Sequence, residues 1–154
     1  MNNEKKAPVR QIKFRAKQLH GVRKGAWRHG YFSKDTTGTA YITTLDGVDT
    51  VIVDEYTLGQ FTGLLDTNGK EIYEGDCVLI LYTDWPSNTD DNVSLEDYMD
   101  SLSKKGTVVF SQNSWNLEMI DRYDESYLSS IEPGRHGRIK VIGNIHKESE
   151  VTNG

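Results

Sequence analysis

The chain predicts a mainly β domain, a small antiparallel barrel-like fold carrying one or two short helices. Three observations lead there. Short segments rich in β-branched and aromatic residues recur with Gly or Asp between them, as at 39–43 and 50–53. Asp66-Thr67-Asn68-Gly69 reads as a hairpin turn, because Asp and Asn side chains satisfy nearby backbone groups and Asn-Gly readily takes the positive φ that a tight reversal needs. A length of 154 residues with 36% apolar side chains suffices for one core, and not for a second independent domain.

Strand-like alternation opens at Ile12-Lys13-Phe14-Arg15-Ala16, which sets Lys13 and Arg15 together on one face. After a polar turn at 21–25, residues 26–32 read as a second strand with Trp27 and Tyr31 on one side, and strands at 39–43 and 50–53 follow. Beyond the Asn68-Gly69 hairpin, Gly75-Asp76 punctuates the start of a strand over 77–82; Gly63, Asp66, Asn68, Gly69, Gly75 and Asp76 together form a structural turn motif. Residues 84–105 become polar and acidic and read as an insertion. Within it, Ser94-Leu95-Glu96-Asp97 is like a capping box, and Leu95, Tyr98 or Met99, and Leu102 recur at helical spacing, so a helix is expected over about 94–104. A second short helix is expected over about 125–132, stopped by Pro133-Gly134. Strands at 106–110, 115–120 and 138–145 complete one domain over 10–146, with flexible ends at 1–9 and 147–154.

Net charge is −5, but the sum conceals a split. Residues 1–34 hold ten basic side chains against the single acid Glu4, a net of +9, and the other 120 residues hold 8 basic and 22 acidic ones, a net of −14. A basic surface for an acidic partner, a self-complementary molecule whose basic edge meets a neighbour's acidic body, and internal neutralisation within one fold all satisfy this split. The single cysteine, Cys77, excludes an intramolecular disulfide and a multi-cysteine zinc cluster, and a lone reduced thiol suits the cytoplasm. No run approaches the roughly 18 apolar residues of a membrane span, and the first 30 residues lack the apolar stretch of a signal peptide.

Catalytic and metal-binding spacings are missing, so no cofactor, metal or enzymatic activity is expected. His20, His29, His136 and His146 form no pair at helical spacing that could hold a metal. A calcium loop counted from Asp84 fails where glycine and the closing glutamate are required, at Thr89 and Leu95. The glycines around Lys70 have the wrong spacing for a phosphate loop. Glu71, Glu74 and Asp76 gather near one hairpin, where exposure is the default reading. The constellation with physical pull is Lys13, Arg15, Arg23, Lys24, Trp27 and Arg28, with Tyr31 beside them: cations for phosphates and rings for bases, the combination that binds single-stranded nucleic acid.

Several segments carry a resemblance: Ile12–Ala16, Trp27–Tyr31 (Trp-x-x-Gly-Tyr), Gly59–Leu64 (Gly-Gln-Phe-Thr-Gly-Leu), the block Asp66–Asp76, Gly106–Phe110 and Val141–Ile145. With these motifs in order over about residues 10–146, the chain resembles the YopX family, small proteins encoded mainly by bacteriophages and prophages. The resemblance implies a mainly β barrel-like fold and a bacterial cytoplasmic setting, with no catalytic residues to carry over. The acidic segment 84–105 and the ending Ile145-His146-Lys147-Glu148 depart from the family pattern. The expected role is a non-enzymatic binding or assembly module that self-associates or docks on another phage or host protein. The alternative is a nucleic-acid-binding barrel using the basic N-terminal third.

Overall fold

The computed structural model describes residues 10–81, 103–120, 126–131 and 138–146. Among them lie ten strands and no helix: β1 (Phe14–Gln18), β2 (Trp27–Lys34), β3 (Ala40–Thr43), β4 (Thr50–Leu65), β5 (Glu71–Tyr73), β6 (Asp76–Leu81), β7 (Ser103–Ser111), β8 (Ser114–Ile120), β9 (Ser126–Ser130) and β10 (Arg138–Asn144). They form two antiparallel five-stranded sheets, β1-β2-β3-β4-β5 and β10-β6-β7-β8-β9, with no single closed barrel assigned.

The first sheet is organised by β4, whose 16 residues serve three partners in turn. Thr50–Ile52 pair with β3; Val53, Asp54, Gly59 and Gln60 pair with β1 across an irregularity; Phe61 and Leu65 pair with β5. In the irregular stretch the Thr57 hydroxyl donates to the Asp54 carbonyl and accepts from the Lys17 amide, so the bulged backbone keeps its partners. Strand β2 likewise changes neighbours, facing β1 through Gly30 and β3 from Tyr31 onward. Gly30 sits where this switch presses the strand onto Thr43: a Cβ there would stand 1.9 Å from the Thr43 carbonyl oxygen.

Two apolar clusters form the core, one within the first sheet and one in which Ile72 of β5 joins residues of the second. Ala16, Ala40, Ile42 and Val53 form the first, flanked by Phe14, Phe32, Val51 and Leu58. Ile72, Val78, Ile80, Val108, Leu117, Met119 and Val141 form the second. The two-residue connector Glu74-Gly75 joins them. Gly75, at φ +83°, donates its amide to the Val108 carbonyl and accepts from the Ile145 amide. The expected hairpin is present, with the Asp66 amide on the Lys70 carbonyl and Gly69 at φ +79°. Asp66 also ties that hairpin to β10, accepting from the Val141 amide at 3.0 Å.

Two expectations change. The helix expected over 125–132 is replaced by β9, which pairs along β8 from Ile120↔Ser126 to Asn116↔Ser130; the edge of β8 not paired to β7 supplies backbone partners that outweigh the helical signals. Of the helix expected over 94–104, Ser103 and Lys104 belong to β7, paired to Leu81 and Ile80, while 94–102 lie outside the described residues, as do most of the acidic segment and the ends 1–9 and 147–154.

Candidate functional site

Strand β1 is buried on both faces, and that shapes the site. Phe14 and Ala16 face the first apolar cluster, so the alternate residues Lys13 and Arg15 point the other way, toward β5 and the start of β6. Lys13 and Arg15 are each only 6% exposed. A buried cation needs an anion and hydrogen bonds, and the chain supplies both. Arg15 Nη2 donates to Asp76 Oδ1 at 2.6 Å, and Asp76, itself 1% exposed, accepts on Oδ2 from the Tyr73 amide at 2.8 Å. The guanidinium lies 4.4 Å from the Trp27 ring and 4.8 Å from the Tyr73 ring, a double cation–π contact. Its Nε has no partner among the described residues.

Lys13 pairs with Glu71 and lies 4.8 Å from the Phe61 ring, while the Tyr73 hydroxyl donates to Glu71 Oε2 at 2.7 Å. His29, opposite Arg15 in register, meets Tyr73 edge-on at 5.5 Å, and His146 meets Trp27 at 6.2 Å. These neighbours set the protonation states. Burial pushes the Tyr73 phenol up, reinforced by its bond to Glu71. Burial would raise the Glu71 carboxyl too, but the hydrogen bonds from Lys13 and Tyr73 hold it below its usual value. Loss of water, then the Arg15 charge, lowers His29; loss of water, then Lys17 and Arg15, lowers His146.

The sequence-predicted surface residues therefore separate into two groups. Lys13 and Arg15 are interior and neutralised, and Arg28 pairs with Asp49 across the sheet, as Lys34 does with Glu55. Arg23 and Lys24 are exposed in the β1–β2 turn, where they make no ion pair among the described residues, and Lys17 is half-buried beside Trp27 at 5.5 Å from its ring, also without one. Trp27 is half-buried and Tyr31 is 53% exposed. The turn residues Gly63, Asp66, Asn68, Gly69, Gly75 and Asp76 serve the β4–β5 hairpin and the connector, with Asp76 the one that enters the cluster. Asp76 overturns the expectation of an exposed acidic group: it is the buried counter-ion of a residue 61 positions away. Cys77 is free and half-buried. Sequence reasoning missed His29, Tyr73, Glu71 and His146 as members of the cluster. The signal for one of them, His29, was present in the alternation of Trp27, His29 and Tyr31 on one strand face.

The motifs that build this cluster run through a single family pattern: the family model described as YopX protein matches residues 13–152. The chain belongs to the YopX family. The YopX match begins at Lys13, so every residue of the cluster lies inside it. No curated protein matches the chain. Among the described residues of this YopX protein, no helix is long and apolar enough to cross a membrane, and no three His, Cys, Asp or Glu side chains are grouped to hold a metal ion.

Proposed function

We propose that this YopX protein is a non-enzymatic binding module, working through the β1–β2 turn and the exposed residues of β2, and that its partner presents an acidic surface. One observation carries the reading. Of the eight cations from Arg10 to Lys34, Lys13, Arg15, Arg28 and Lys34 are matched by Glu71, Asp76, Asp49 and Glu55; Arg10 stands apart, before β1 and near Gly63, and Lys17, Arg23 and Lys24 lie at or next to the β1–β2 turn with no ion pair among the described residues. Charges spent on internal pairs hold the fold; charges left without a counter-ion attract an external one. The phage or prophage setting and bacterial cytoplasmic location implied by the family resemblance belong to the same reading. A second copy of the chain, whose residues 35–154 sum to −14, is one acidic surface of this kind.

The test is retention on immobilised heparin, a polyanion of no fixed sequence, for the natural chain and the variant Arg23→Ala/Lys24→Ala. The natural chain should be retained at about 50 mM salt and released by about 200 mM, and the variant should elute earlier. Co-elution of the two would refute the assignment of the ribbon.

A further inference from the structure

We propose that the acidic partner of the β1–β2 ribbon is single-stranded nucleic acid, its bases stacked on the row formed by His29 and Tyr31 and its phosphates met by Lys17, Arg23 and Lys24. This rests on the ribbon being the contact surface, and names what contacts it. Trp27, His29 and Tyr31 are alternate residues of β2, so they stand on one face about 6.8 Å apart. Their roles differ. Trp27 is occupied by Arg15 at 4.4 Å and met by His146, which makes it the fixed foot of the row. His29 is exposed with its ring held edge-on by Tyr73, and Tyr31 is 53% exposed.

An acidic protein would need only the cations; exposed rings further along the strand that leaves the basic turn give unstacked bases a surface that a carboxylate cannot use. A duplex hides its base faces in its own stack, leaving the rings idle. Gly30, buried between His29 and Tyr31, lets the ribbon press against Thr43 and keeps the two rings on a supported backbone. The arrangement is tolerant of sequence, because every base has a π face and a cation that meets a phosphate reads no base.

The experiment is fluorescence anisotropy with a labelled oligothymidylate of about 12 nucleotides and a duplex of equal length, on the full chain. With three phosphate contacts the single-strand salt slope should be about −2, so affinity should fall roughly 20-fold between about 50 and 200 mM salt. Tyr31→Ala should weaken binding by about 5- to 160-fold with an unchanged thermal unfolding curve, and Arg23→Ala/Lys24→Ala should flatten the salt slope by about 1.4. Phe110→Ala, which removes an exposed aromatic from the second sheet, should bind as the natural chain does. Equal affinity for duplex, no loss in Tyr31→Ala, or a low-salt dimer indifferent to DNA would each overturn the proposal. Heparin retention that depends on Arg23 and Lys24 would survive any of these results, so the ribbon assignment and the nature of its partner fail separately.

Discussion

Replacing Asp76 with alanine leaves the Arg15 guanidinium in an interior site with its counter-ion gone. Asp76 is 1% exposed and accepts two hydrogen bonds, from Arg15 at 2.6 Å and from the Tyr73 amide at 2.8 Å. Removing one member of a buried pair costs about 3–5 kcal/mol, chiefly because the remaining charge is stranded. Against a total stability of about 5–15 kcal/mol, that is a large fraction. With a urea slope of about 2 kcal/mol/M the midpoint should fall by roughly 1.5–2.5 M, and a thermal midpoint by roughly 6–20 °C for a chain of this size. The assay is equilibrium urea unfolding followed by both tryptophan fluorescence and far-UV circular dichroism, whose coincidence establishes a two-state transition. The double variant Arg15→Met/Asp76→Leu should recover part of the loss, since an apolar pair leaves no charge unpaired but takes the acceptor from the Tyr73 amide. A shift below about 0.5 M in Asp76→Ala, less than about 1 kcal/mol, would refute the view that Arg15 depends on Asp76 as its buried counter-ion.

Other outcomes follow from the same geometry. Gly30→Ala places a Cβ against the Thr43 carbonyl, a backbone atom fixed by the β2–β3 ladder, and should destabilise by about 1–3 kcal/mol in the same urea assay. Burial would raise the Asp66 carboxyl, but the Val141, Lys70 and Asn68 amides hold it below 3.8; the stability it contributes is present above the unfolded value and is lost as pH falls through the lower native one, so Asp66→Asn should flatten the decline of stability between pH 5 and pH 3. His29 is held below 6.5 by loss of water and by Arg15, so the unfolded chain takes up its proton first as pH falls; stability should decline below about pH 6.5, and His29→Gln should lessen that decline in unfolding curves compared across pH.

Much of the fold was legible because strand identity is written locally. The hairpin at Asp66–Gly69, the strands in the second half of the chain up to Ile120, and the first strand all follow from turn chemistry and alternation. Strand β4 was readable only to Val53, since Glu55, Gly59 and Gly63 look like breakers; in the structure a bulge absorbs the stretch between Asp54 and Gly59, and Gly59 admits the close approach of the Glu74 carbonyl, where a Cβ would stand 2.5 Å from its oxygen. The helix expected at 125–132 failed because an open strand edge outweighs weak helical signals. The candidate site was half legible. The residues Lys13, Arg15 and Trp27 stood out by type, but whether a cation faces water or a buried carboxylate depends on what lies 58 to 61 residues further along, and no local pattern records that.

The three partners of β4 set an order on the chain's birth. Phe14 lies opposite Gln60, and Arg15 opposite an aspartate 61 residues downstream. At a ribosomal rate of about 5–20 residues per second, Gln60 follows Phe14 by roughly 2–9 s and Asp76 follows Arg15 by roughly 3–12 s. Throughout that interval β1 has one edge unpaired and its cations lack the carboxylates that later bury them. Strand β1 thus spends seconds with its basic face uncovered, before Lys13 and Arg15 are buried against Glu71 and Asp76.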